Sequence, residues 1–275
     1  MKNKNKISLL GCGWLGYPLA KYLIGKEFNV KASTTSHTKL ESFKSDGIDP
    51  FLVQFNVNDQ DPELFDFLDS EILVISVPPG RRNASGPDNY RKMAGALRPF
   101  LGKGRISKII FISSTSVYPE SNAIITESSA IAPETRSAKA IAEFEKMLNE
   151  ANSKVIILRL AGLIGPGRMP GRFFAGKTNV PNGLAPVNLI HLDDVIVLIS
   201  KLIDDENAEG IYNGCAPVHP IKEEFYTLAA KSEGLPLPEF IAEKKTWKVI
   251  STERTDKELD FNYKYVSPMD CLRGL

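Results

Sequence analysis

Residues Ile7 to Ala20 read ISLLGCGWLGYPLA, with Gly11, Gly13 and Gly16 in the G-x-G-x-x-G spacing. An apolar run leads in and an amphipathic run leads out, so the glycines stand at a strand-to-helix turn. Each lacks a side chain for its own reason. Gly11 permits a tight turn, Gly13 lets a pyrophosphate approach the backbone, and Gly16 lets helix and strand pack closely. The helix start adds N–H donors and a partial positive charge. A bare turn with no ligand shares this spacing, and the flanking strand and helix favour dinucleotide binding over it. The cofactor-facing set is therefore Gly11, Gly13, Trp14, Leu15 and Gly16. In YPLAKYLIGK, Leu19, Leu23 and Ile24 share a face, and Pro18 sits in the first turn, where its missing N–H is harmless.

Further apolar, β-branched runs alternate with helical patterns. Strands are expected at Ile7–Leu10, Asn29–Ala32, Phe51–Phe55, Ile72–Val77, Lys108–Ser113 and Val155–Leu160. AKAIAEFEKML puts Ile141, Phe144 and Leu148 on one helical face. Strands apolar throughout and separated by helices indicate a parallel sheet covered on both sides. The fold class is α/β, a Rossmann-type doubly wound parallel sheet. After Leu160 the chain becomes rich in Gly and Pro, a long loop region of the kind that is functional or disordered. HLDDVIVLISKLI reads as another helix, and IYNGCAP, a helix near Lys222–Ser232 and the SPMDCL end read as a smaller C-terminal substrate lobe. The expected division is a dinucleotide-binding domain of 1–162 plus 188–204, and a lobe of 163–187 plus 205–275.

Charge and cysteine content narrow the function classes. With 34 basic and 33 acidic residues, the chain has no global attraction for nucleic acid or anionic lipid, so neither is expected as a partner. Cys12, Cys215 and Cys271 are too scattered for a disulfide framework, and neither they nor His37, His191 and His219 have metal-ligand spacing. No metal is expected. The basic start reads as a frayed tail entering the first strand, and no run approaches the ~20 apolar residues that cross a bilayer. The expected compartment is the cytoplasm.

The end of the second strand selects the dinucleotide. VKASTTSHTK lacks the acidic residue that would bond an NAD ribose. Thr34, Thr35 and Ser36 offer hydroxyls, His37 and Lys39 offer charge, and no carboxylate repels a 2′-phosphate. NADP is favoured over NAD, with a plain polar loop as the other reading. S-adenosylmethionine is disfavoured, because its binders commonly carry an acid there too.

SKIIFISSTSVYPE ends an apolar strand in Ser113, Ser114, Thr115 and Ser116, followed by Tyr118. Ligands of open α/β sheets bind beyond the carboxyl ends of the strands, although Ser and Thr serve turns equally well. Here the chain resembles the extended short-chain dehydrogenase/reductases, the NAD-dependent epimerase/dehydratase family. The resemblance is carried in order by the glycine motif, ISSTSVY, the helix with Lys139, LRLAGLIGPG, HLDDVI and IYNGCA. It is similar in particular to an atypical bacterial subgroup with GWLG and GRFFAGK stretches. The resemblance implies that Ser114, or Thr115, orients the substrate. Lys139 would contact the nicotinamide ribose and lower the pKa of a tyrosine four residues earlier, on the same helical face. Ser113, Val77 and Pro78 are counted with the cofactor contacts, with Arg81 and Arg82 near phosphates or in solvent. Arg168, Arg172 and Lys177 stand beside two phenylalanines in GPGRMPGRFFAGK. They suit an anionic or sugar-nucleotide small-molecule substrate, or else a surface loop of scattered charges. His191 reads as a hydrogen-bonded structural residue.

Position 135, where the family places that tyrosine, is Thr. Three explanations stand: Tyr118 supplies the phenol, Arg136 stabilises an oxyanion, or the chain binds cofactor without turnover. The expected function is an NAD(P)-dependent epimerase/dehydratase-like or reductase-like enzyme lacking the usual tyrosine. The alternatives are a non-catalytic NADP-binding sensor or partner protein and, less favoured, a β-hydroxyacid dehydrogenase-like enzyme suggested by GCGWLGYPLAKYL. The oligomeric state stays open, a homodimer being the form such proteins often take.

Overall fold

A computed structural model describes residues 5–55, 62–80, 85–101 and 105–272. In chain order the elements are β1 (Lys6–Leu10), α1 (Gly16–Gly25), β2 (Asn29–Thr34), α2 (Leu40–Ser45), β3 (Asp49–Leu52), α3 (Pro62–Leu68), β4 (Ile72–Ile75) and α4 (Gly86–Leu97). Then follow β5 (Lys108–Ser114), β6 (Ala123–Ile125), α5 (Arg136–Leu148), β7 (Lys154–Leu160), β8 (Gly162–Ile164), β9 (Leu189–His191), α6 (Leu192–Asp204), β10 (Gly210–Gly214), α7 (Lys222–Ser232), β11 (Lys248–Ile250) and α8 (Glu253–Leu259).

The main sheet has seven strands in the order β10-β7-β5-β4-β1-β2-β3. β1 pairs in parallel with both β2 and β4, β2 with β3, and β4 with β5. This is the doubly wound parallel sheet expected from the apolar strands, and helices flank it. Its central strands are buried along their length, as in β4, where Ile72, Leu73, Val74 and Ile75 are all inaccessible to water. The third strand runs Asp49–Leu52 rather than Phe51–Phe55 and includes Pro50. It is an edge strand, where a residue without an N–H removes no ladder bond. On α1 the buried face is Leu19, Ala20 and Leu23.

The chain forms two compact units, one of residues 1–113, 133–158 and 199–211, the other of 114–132, 159–198 and 212–275. In the first, α5 buries Ile141 and Phe144, and Phe144 stacks on Phe111 of β5 with ring centroids 4.7 Å apart. In the second, β6 pairs with β11 and β8 with β9, and Ile164, Val187, Leu189, Phe225, Ala229 and Leu272 form an apolar core. Its late segment is held by asparagine side chains that mimic strand pairing. Asn122 accepts from Trp247 N and donates to Lys245 O, and Asn188 accepts from Ile250 N and donates to Lys248 O. Among the described residues, no helix is long and apolar enough to cross a membrane.

Candidate functional site

The first unit carries the glycine turn, and the three glycines differ there as their spacing predicts. Gly11 has φ +99°, and a Cβ on it would lie 2.8 Å from Val77 Cγ2 and 2.9 Å from the Ser76 carbonyl carbon. A Cβ on Gly16 would lie 2.2 Å from the Gly11 carbonyl oxygen. Gly13 is the opposite case, with no atom within 4 Å of its Cβ position. Packing forbids a side chain at the first and last glycine, whereas the middle one faces open space at the start of α1. An open backbone face before a helix N-terminus fits a dinucleotide pyrophosphate, and residues 11–16 would hold it. Leu15 is buried and Trp14 half-buried beside it. The turn is tied to both neighbouring strands. Gly11 N donates to Ser33 Oγ (2.9 Å), Cys12 N to Ser33 O (3.1 Å), and Ser76 N to Leu10 O (2.7 Å). The Cys12 thiol is buried and pushed up to about 12, with the Lys39 cation pulling it the other way.

At the end of β2 the hydroxyls divide. Thr34 is buried, and its Oγ1 accepts from Ser36 N at 3.1 Å, so it closes the turn. Ser36 shares a hydrogen bond with Thr38 (2.8 Å), while Thr35, His37 and Lys39 are exposed. The next acids along the chain are occupied. Glu41 pairs with Lys44 (3.4 Å), and Asp46 accepts from the Tyr17 hydroxyl and pairs with Lys21 (2.9 Å). Val77 is half-buried and Pro78 exposed, whereas Arg81 and Arg82 lie outside the described residues.

Thr135 precedes α5 as its N-cap, with extended backbone and its Oγ1 accepting from Ala138 N at 3.1 Å. The Thr135 hydroxyl therefore starts the helix. Lys139 is exposed one turn in, and its side chain has no hydrogen bond or ion pair among the described residues. Arg136 lies 3.4 Å from Asp88. Ser113 is buried, and its hydroxyl donates to Glu145 Oε1 (2.5 Å), a carboxylate buried on α5. The nearby Tyr90 phenol is pushed well above its usual range, by burial first and by the Glu145 charge second.

In the second unit, Ser114 caps a 3-10 turn of Thr115–Val117, its Oγ accepting from Ser116 N at 3.2 Å. Thr115 is buried, and the Ser116 hydroxyl is buried with no hydrogen-bond partner among the described residues. Tyr118 is held on three sides. Its phenol donates to Asn213 Oδ1 (3.0 Å), its ring lies 4.7 Å from the Arg159 guanidinium, and its carbonyl accepts from Lys248 Nζ (2.9 Å). Lys248 also pairs with Glu120 at 3.1 Å.

Of the loop cations, Arg168 is exposed at a turn closed by its own N–H on Gly165 O (2.9 Å), and partial burial pulls its pKa down. Arg172 is exposed, 4.0 Å from Glu233, whose other oxygen accepts from Gly171 N at 2.6 Å. Lys177 lies 5.2 Å from the Phe174 ring, which meets Tyr226 edge-on at 4.7 Å. His191 Nδ1 accepts from Asp193 N (3.1 Å), and burial holds its pKa below the usual histidine value. Ser33 and Asn213 are not among the site residues expected from sequence, whereas Ser116 stands in the expected hydroxyl cluster. Ser33 had no clear local signal, because its strand also carries Asn29, Lys31 and Thr34.

The profile of the NAD dependent epimerase/dehydratase family matches residues 9–214. The chain is 40% identical over 270 residues to Protein YeeZ of Escherichia coli (strain K12), covering 96% of this chain and 97% of that one. Its fold is similar to the Bordetella bronchiseptica enzyme WbmG in complex with NAD, with TM-score 0.77, 18% identity and 99% and 93% of the two chains covered. It is also similar to UDP-glucuronic acid 4-epimerase from Bacillus cereus in complex with UDP-glucuronic acid and NAD. There the TM-score is 0.74 at 16% identity, with 98% and 96% covered.

Proposed function

The chain belongs to the NAD dependent epimerase/dehydratase family, and from that premise we propose that it binds NADP in preference to NAD. We place its activity on an anionic or sugar-nucleotide substrate, as an epimerase, dehydratase or reductase. The observation that carries the reading is the open face of Gly13 between a packed Gly11 and a packed Gly16. A bound nicotinamide supplies reversible hydride transfer. The preference for NADP is supported by exposed Lys39 and His37, and by the engagement of Glu41 and Asp46 elsewhere. Lys139, exposed and unpaired among the described residues, is assigned to the nicotinamide ribose. Ser114 is assigned to a substrate oxygen, with the Ser116 hydroxyl, unpartnered among the described residues, as a second donor on the same turn. Arg168 and Arg172 are assigned to the substrate's anionic groups.

A second reading, cofactor binding without turnover, is favoured by two observations. The Thr135 hydroxyl is used as a helix cap, and the Tyr118 phenol donates its hydrogen bond to Asn213 Oδ1. Fluorescence titration tests the cofactor: NADPH is expected to bind about tenfold or more tighter than NADH, a difference of about 1.4 kcal/mol. Equal affinities overturn the preference. Lys139→Ala should weaken NADPH binding and leave melting unchanged, and an unaltered affinity returns Lys139 to an ordinary solvated face. Incubation of the NADP-loaded protein with UDP-sugars, followed by NMR, separates the two readings. Conversion supports the enzyme, and tight binding with no conversion supports the silent binder.

A further inference from the structure

The last backbone pair between β1 and β2 joins Leu9 to Ala32, and beyond it Gly11, at φ +99°, has left the strand. The two strands nevertheless stay joined at this point, through one residue. Ser33 takes the Gly11 N–H on its hydroxyl oxygen at 2.9 Å and the Cys12 N–H on its carbonyl at 3.1 Å. We propose that Ser33 is a positioning residue for the dinucleotide, setting the placement of the glycine turn through the Gly11 and Cys12 amides. The assignment rests on the dinucleotide-binding reading above and adds a residue outside the glycine motif.

The physical case has three parts. The positive φ of Gly11 carries the chain after it out of the strand, and its own N–H, still directed at β2, meets the Ser33 side chain and not a backbone carbonyl. A side-chain oxygen bridges that gap, and alanine has none. Ser33 is only 5% exposed, so water does not readily replace the hydroxyl, and removing it leaves a buried N–H unsatisfied. Finally, the first two amides of the turn are consumed by Ser33, which leaves anion binding to the backbone from Gly13 onward. Ser33 thereby separates the part of the turn that anchors from the part that faces a ligand. On the far side, Gly11 rests against Ser76 and Val77, whose contact limits its position without bonding its N–H.

The test is titration of NADPH and NADH against wild type, Ser33→Ala and Ser33→Thr, with melting of the unliganded proteins and amide exchange at Gly11. Ser33→Ala should weaken both dinucleotides about five- to tenfold. The NADPH-to-NADH ratio should stay unchanged, because the pyrophosphate is common to both. Gly11 exchange should accelerate, melting should fall by a few degrees for the one N–H left unsatisfied, and Ser33→Thr, which keeps the oxygen, should restore affinity, protection and melting. If Ser33→Ala does not fold, Ser33→Cys keeps the volume with a poor acceptor and carries the same expectation. Wild-type affinity in the variant overturns the assignment, as does a loss that tracks melting and is not restored by threonine. A wild-type chain that binds neither dinucleotide overturns the underlying reading and this assignment with it. That outcome is visible in the wild type alone, whereas failure of the Ser33 role shows only in the variants.

Discussion

Gly13 and Gly16 are three residues apart and call for opposite experiments. A methyl on Gly13 meets no protein atom, so Gly13→Ala should keep the unfolding free energy within about 1 kcal/mol of wild type while NADPH affinity falls at least tenfold. A methyl on Gly16 would be forced onto the Gly11 carbonyl oxygen, so Gly16→Ala should destabilise the unliganded protein by roughly 3 kcal/mol. Urea unfolding with parallel NADPH titration reads both. Loss of binding without loss of stability in both variants would contradict the packing role of Gly16. The glycine motif was legible because all its determinants lie within six consecutive residues. Tyr118 was less so, since its phenol's partner lies 95 positions away and the lysine on its carbonyl 130.

At the scale of elements, α5 shows how one residue type changes meaning with its place on a helix. Thr135 stands just before the first helical residue, where a β-branched hydroxyl is a good cap and a phenol would not be. Thr135→Ala should cost about 1 kcal/mol in unfolding free energy, measured by denaturation, and a Thr135→Ser variant should recover most of it. Full stability in the alanine variant would show that the Ala138 N–H finds another acceptor. The amphipathic period correctly placed Ile141, Phe144 and Leu148 in the core, and Glu145 falls on that same face, between Phe144 and Leu148. What periodicity does not contain is the partner of that buried carboxyl, the Ser113 hydroxyl on β5, which donates to it. The strands were legible from apolar runs. The edge strand shifted because Pro50 is acceptable only where one side of the strand is unpaired, which is a property of strand order.

For the molecule as a whole, buried histidines link stability to acidity. Burial lowers the pKa of His191 and of His219, whose Nδ1 lies 3.3 Å from Val187 O. Their contribution is complete above the unfolded value of about 6.5 and is lost as the pH falls from there through the lower folded values. Asp194 acts in the opposite sense, because burial raises its carboxyl, and the folded state takes up its proton sooner than the unfolded one. The melting temperature should therefore drop between about pH 7 and pH 5.5. His219→Gln should flatten that slope, and an identical slope in the variant would remove His219 as its source.

Read alone, the order of residues determined the alternation of strands and helices, the glycine turn, the absence of an acid at the end of β2 and the threonine at position 135. Each of these depends on neighbours within a few residues, where backbone sterics and hydrophobic period suffice. Only the tertiary structure decided which hydroxyls are already spent. Thr34 closes a turn, Ser113 serves Glu145, Thr135 caps α5 and Ser33 holds the glycine turn, whereas the Ser116 hydroxyl has no partner among the described residues. A hydroxyl has the same donor and acceptor wherever it stands, and which of them it uses depends on the groups that folding brings within about 3 Å.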